Sequence, residues 1–396
     1  MAIDYVALGV GISGLIIILG ILLMKKANKT KISGVVPLIL LGMLVGPITG
    51  LFNPTPYIPV ISTIITFILV IVLFDVGYGI SIADIKSESG PALLLGFLAA
   101  LLTALFVGGL AYFLFGLSWQ LALLFAALVV STDLTIVEPL LESLKIKEQH
   151  REILSLESAI NSVIAAVMAI VAINMLQVGT AGAASVLKTF LYNVFVGAAF
   201  GVILGYIIVL AIKRIDLDEK PHIISIGAVL LVFALTNLIG ASGIIAALLV
   251  GIVFRNSGQT LPKVIKSYSS DLEILLVVFI YVIMGTLINF TMFKSVRTVL
   301  FSVGFISLIL LARWISAWLF TRRYDYMNSK LVFFAGPRGT VTAVLALSYA
   351  SYFAASDAIN IVFLIILVTT LLSSALPFVS GKSTRKPIRS KAMVKK

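Results

Sequence analysis

The chain has no cysteine and only two histidines among its 396 residues. That excludes a disulfide framework, a cysteine metal or redox centre and a histidine-rich metal cluster. His150 and His222 both fall in or beside polar connections. Charge is scarce as well: 12% of residues are charged and 60% are hydrophobic, whereas soluble domains carry roughly 25% and 45–50%. A soluble globular protein, a disordered chain and a fibrous one are all excluded on composition. Long polar stretches are missing too. The longest connection, 255–271, and the tail 380–396 are each seventeen residues, below the size of an independent core. Any chemistry therefore takes place inside the apolar body. There is no phosphate-binding glycine loop to suggest ATP hydrolysis. No alternating apolar pattern marks a β-barrel.

What remains is an all-α polytopic membrane protein. Apolar stretches long enough to cross a bilayer, or nearly so, lie at 5–24, 34–52, 58–78, 91–116, 118–141, 153–176, 186–212, 222–238, 241–254, 272–290, 296–320, 329–353 and 357–379. These are thirteen expected spans in one transmembrane unit, 1–379, followed by a basic tail, 380–396. The first stretch has Asp4 before it and its lysines after it, with no small-residue cleavage site, so it reads as a span and not a cleaved signal. With the N-terminus outside, 24 of the 29 Lys and Arg residues fall in cytoplasmic connections and the tail. Lys188, Lys294 and Arg297 fall outside, and Arg313 and Arg338 fall within spans. That asymmetry is the positive-inside pattern of a multi-pass cell-membrane protein with a cytoplasmic tail. It explains the net charge of +12 by topology and contact with anionic lipid, not by nucleic acid.

Charged residues inside spans mark function or tight pairing. Asp133 lies in "LVVSTDLTIVEPLL", where Ser131, Thr132 and Thr135 crowd oxygens into one turn and Pro139 removes a backbone donor. Carboxylate, hydroxyl and freed carbonyl oxygens are what Na⁺ requires. A kinked helix bonding to itself is the structural alternative. In "EILSLESAINSVIAAV", Glu157 and Asn161 share a helix face with Ser158 beside them. In "VFFAGPRGTVTAVLALSYA", Gly336, Pro337 and Gly339 surround Arg338 and predict a helix break. An arginine there needs an anion or a half-helix end, and Glu157 is the expected partner, as a structural pair or a proton carrier. Asp75, near the end of the third stretch, and Arg313 in "LLARWISAW" are accessory candidates, while Glu138 reads as a solvated acid. Asp271 and Glu273 read as an interfacial helix start. The fifth and twelfth stretches run in opposite directions. Two interrupted helices so placed suggest an inverted repeat, with a core spanning about 91–176 and 296–379 and a site between the breaks. No Ser–His pair or metal-ligand cluster in the spans suggests an enzyme.

These segments resemble, over nearly the whole chain, the monovalent cation/proton antiporter superfamily, in its sodium/proton exchanger branch of archaeal and bacterial NhaP-like proteins. The resemblance rests on "LGMLVGPITG", "LFDVGYGISIADIK", "STDLTIVEPLLESLKI", "LESAIN", "ASGIIAALLVGIVFRN" and "GPRGTVTAVLAL" in that order. It implies a homodimer that exchanges Na⁺ or K⁺ for H⁺ by alternating access, with no cofactor beyond the transported ions. It implies ion binding by Thr132, Asp133, Ser158, Asn161 and the position of Ser162, with Na⁺ at Asp133, Thr132 and Ser158. Glu157 and Arg338 form the implied ion pair. Two departures stand out. Leu134 occupies a proline position, and Ser162 occupies the position of the ion-carrying aspartate. A serine hydroxyl offers an oxygen but exchanges no proton near neutral pH. Either the proton carrier has moved to Asp133 or Glu157, or the chain is a non-exchanging relative: a regulator, a leak pathway or a locked variant.

Overall fold

The computed structural model describes residues 5–30, 32–54, 57–133, 136–178, 183–214, 221–257, 274–325, 327–353 and 357–379. All regular structure among them is helical. In order, the helices are α1 (Tyr5–Lys29), α2 (Val35–Met43), α3 (Ile58–Tyr78), α4 (Ile82–Phe113), α5 (Trp119–Val130), α6 (Glu138–Ser143), α7 (Glu148–Val178), α8 (Ala183–Arg214), α9 (Pro221–Leu238) and α10 (Gly243–Arg255). They continue with α11 (Ile274–Thr286), α12 (Val296–Arg323), α13 (Ser329–Phe334), α14 (Thr340–Ser348), α15 (Ala358–Ser373) and α16 (Leu376–Val379). Asp271, Glu273, Leu134 and the tail 380–396 lie outside the described residues.

Each apolar stretch read from the sequence coincides with a helix. The exceptions are 118–141, which divides into α5 and α6, and 329–353, which divides into α13 and α14. Among the described residues, five helical segments are long and apolar enough to cross a membrane by themselves: Ile58–Tyr78, Gly90–Phe113, Glu148–Gln177, Lys188–Arg214 and Val296–Arg323. Polar residues set several of the helix starts. Ser118, Ser242, Ser295 and Asn328 each accept a backbone N–H of the first turn of α5, α10, α12 and α13, supplying partners that a helix start otherwise lacks.

Glycine sets how closely the helices pack. A Cβ at Gly77 of α3 would strike the Leu248 carbonyl of α10, and one at Gly251 of α10 would strike the Phe74 carbonyl of α3. The two backbones therefore meet directly, as small residues permit between membrane helices. Gly42 of α2 and Gly285 of α11 form a second reciprocal pair. The outer faces are apolar: Leu15, Ile18 and Leu22 on α1 and Phe195, Ile203 and Tyr206 on α8 are exposed. An apolar surface of that extent needs an apolar surrounding, consistent with a multi-pass membrane protein. All three tryptophans of the chain, Trp119, Trp314 and Trp318, are on that outer surface. On α12 the Trp314 and Trp318 rings stack at 6.5 Å, and the Arg322 guanidinium lies 3.8 Å over Trp318.

Candidate site at two crossing helix breaks

Helix α5 stops at Val130, and the chain continues extended through Ser131. Helix α13 stops at Phe334, and α14 starts at Thr340 after Gly336, Pro337 and Gly339. The two interruptions touch: the Asp133 amide donates to the Pro337 carbonyl at 2.9 Å. Buried half-helix ends expose unpaired backbone groups and partial charge, and charged side chains meet them. The Thr340 amide, at the start of α14, donates to Asp133 Oδ2 at 2.6 Å. Arg338 Nη1 donates to the Val130 carbonyl at the end of α5, 2.7 Å away, and Nη2 donates to Thr103 Oγ1 of α4 at 3.1 Å. Arg313 Nε donates to the Val332 carbonyl near the end of α13 at 3.0 Å. The acid thus sits at a helix start and the two bases at helix ends. Gly339 is required beside this junction, because a Cβ there would overlap the Asp133 carboxylate.

Helix α7 completes the cluster. Glu157 takes a two-pronged bond from Arg313, Nη1 to Oε1 at 2.7 Å and Nη2 to Oε2 at 3.2 Å. The pairing expected with Arg338 is therefore corrected: Arg313 of α12 is the partner of Glu157. The reason is geometric, since the Arg338 guanidinium faces the carbonyl end of α5. Glu157 Oε1 also accepts from Asn161 Nδ2 at 2.6 Å and Thr132 Oγ1 at 3.3 Å. Asn161 Nδ2 reaches Thr132 Oγ1 as well, at 3.2 Å. Ser158 Oγ donates to the Thr132 carbonyl at 2.8 Å. Ser162 Oγ donates to the Ser158 carbonyl at 2.9 Å and lies 2.8 Å from Ser131 Oγ, and Ser131 Oγ also reaches the Thr132 carbonyl at 3.3 Å. Asn161 Oδ1 and Arg338 Nε are buried without a hydrogen-bond partner.

Thr132, Glu157, Ser158, Asn161, Ser162 and Arg313 are thereby joined by hydrogen bonds, and Asp133 and Arg338 sit at the crossing beside them, linked to each other's segment by the Asp133 amide and the Pro337 carbonyl. Asp133, Glu157, Arg313 and Arg338 are the buried charged residues among those described, two acids and two bases. Asp75 does not join them; it stands half-buried near the end of α3. Glu138 is exposed and takes a bond from Arg151 at 2.9 Å. Thr103, Thr369, Thr340 and Tyr281 were missed from sequence. Thr369 Oγ1 accepts the Arg338 amide at 3.0 Å, and Tyr281 Oη lies 3.4 Å from Thr340 Oγ1. A lone threonine or tyrosine in an apolar run gives no signal, because a threonine there also satisfies itself on its own helix, as Thr369 does on the Ile365 carbonyl at 2.7 Å.

Residues 14–379 match the model of the family described as sodium/hydrogen exchanger, transmembrane. The chain belongs to this family. Among its relatives is the Na(+)/H(+) antiporter NhaH of Halobacillus aidingensis, 27% identical over 303 residues, 72% of this chain and 74% of that one. Another is the K(+)/H(+) antiporter NhaP2 of Shewanella oneidensis, 26% identical over 357 residues, 86% of this chain and 61% of that one. The sodium proton antiporter MjNhaP1 from Methanocaldococcus jannaschii shares the fold, with a TM-score of 0.78 at 22% identity, over 94% of this chain and 100% of that one. The core of this sodium/hydrogen exchanger chain has a hydroxyl at Ser162, and its buried charges are in balance among the described residues.

Proposed function

We propose that this chain exchanges Na⁺ or K⁺ for H⁺ across the cell membrane by alternating access. The observation that carries the reading is Asp133, a buried acid held where two broken helices cross, bonded to the Thr340 amide and next in the chain to Thr132, whose carbonyl accepts from Ser158. Irregular backbone at that depth is tolerated only where it is buried in protein or lines a cavity, and such junctions are where secondary transporters bind ions. Family membership and antiporter relatives of both Na⁺ and K⁺ type support the exchange of a monovalent cation for a proton. Asp133 carries the titratable charge. Thr132, Ser158, Asn161 and Ser162 supply neutral oxygens, with Na⁺ seated on Asp133, Thr132 and Ser158. Glu157, saturated by Arg313, Asn161 and Thr132, and Arg338 hold the frame. The protein works as a homodimer with thirteen crossings, N-terminus outside and basic tail cytoplasmic. Its moving core spans about 91–176 and 296–379. It needs no cofactor.

The test is proton flux in proteoliposomes, read by an internal pH dye on addition of Na⁺ or K⁺. Wild type is expected to exchange, and Asp133→Asn to lose cation-dependent flux; wild-type flux in that variant would sink the assignment. A second reading, a non-exchanging relative, is favoured by the balance of buried charge around Ser162. It predicts a silent wild type in which Ser162→Asp restores exchange.

A further inference from the structure

Residues outside the family motifs also reach the crossing, Tyr281 among them. Tyr281, in α11, is fully buried, and a buried tyrosine hydroxyl needs a partner. Its Oη lies 3.4 Å from Thr340 Oγ1. Thr340 is the first residue of α14, and its amide donates to Asp133 Oδ2 at 2.6 Å. The chain of contacts therefore runs from the Tyr281 hydroxyl through Thr340 to the Asp133 carboxylate. Helix α11 is itself held from behind. Its Gly285 meets the Gly42 backbone of α2, and its Val278 fills the space beside Gly20 of α1.

We infer that Tyr281 is a positioning residue of the ion site: through Thr340 it holds the start of α14 against Asp133 and ties the crossing to the α1–α2–α11 layer. This inference rests on the exchange reading for its transport consequence, but the positioning itself does not. With the hydroxyl in place, Asp133 Oδ2 keeps a well-aimed amide donor. Without it, the α14 start is held less tightly, Asp133 loses part of that donor, and the carboxylate turns to a cation instead. Any motion of α14 past α11 must also break this contact. A buried hydrogen bond of ordinary net worth corresponds to about a five-fold effect.

Hydrogen–deuterium exchange of the full chain in nanodiscs tests the positioning. Tyr281→Phe keeps the ring and removes only the hydroxyl. It is expected to speed exchange of the α14 amides about five-fold while α15 is unchanged. Thr340→Val should do the same, the double variant no more than either single one, and Thr340→Ser should keep the wild-type pattern. Unchanged α14 amides in Tyr281→Phe, or additive effects in the double variant, overturn the inference. In proteoliposomes, Tyr281→Phe should lower the KM for Na⁺ about five-fold without a matching change in kcat. A fall in kcat at unchanged KM marks a merely structural role and also overturns it. If wild type carries no flux yet the α14 amides respond as expected, the exchange reading fails and the positioning stands.

Discussion

Glu157 and Arg313 meet in a body where neither can be solvated, and their geometry decides what each is worth. Arg313 spends two guanidinium nitrogens on Glu157 and the third on the Val332 carbonyl, so removing either partner strands a buried charge. That costs about 3–5 kcal/mol. Glu157→Gln and Arg313→Met are each expected to lower the melting temperature sharply in detergent-solubilised protein. The double variant should lose clearly less than the sum, and simple additivity would count against the pair as the principal link. Legibility in the sequence follows the same physics. The charges announced themselves, because an acid or arginine within an apolar run requires a partner. Which base meets which acid did not, since "LLARWISAW" and "GPRGT" place equally needy arginines at similar depth and only the packing of α12 against α4 and α13 chooses between them.

At the scale of helices, the two breaks depend on each other. Segment 118–141 supplies the acid for the start of α14, and segment 329–353 supplies the base for the end of α5. Neither interruption is satisfied alone. The breaks were legible because proline and paired glycines cannot continue a helix, whereas their mutual contact was an inference from antiparallel order. Gly339 makes the contact possible by leaving room for the Asp133 carboxylate. Gly339→Ala is expected to push the carboxylate off the Thr340 amide and destabilise the protein by about 1–3 kcal/mol, the usual range for a group forced into a packed interior. Thermal unfolding checks this. Gly108→Ala, whose added methyl would make only ordinary contact with Ala126, serves as the control and should change stability little.

For the whole molecule, composition and charge asymmetry were enough to read a membrane-embedded helical body, and the helices follow the apolar stretches closely. The assembly of the helices was less legible: the reciprocal glycine contacts of α3 with α10 and α2 with α11 need three dimensions to find. The distribution of indole rings has a practical consequence. Trp119, Trp314 and Trp318 all lie on the outer surface, none within the crossing, and Arg322 covers one face of Trp318. Intrinsic emission therefore reports the acyl chains and headgroups around the protein and is blind to ion occupancy. Brominated phospholipids should quench most of it, while saturating Na⁺ should leave the spectrum unmoved. A spectral shift that tracks Na⁺ would mean that the moving core, which holds α5 and α12, carries these rings to a new depth in the bilayer, and the protein would then carry an optical gauge of its own cycle.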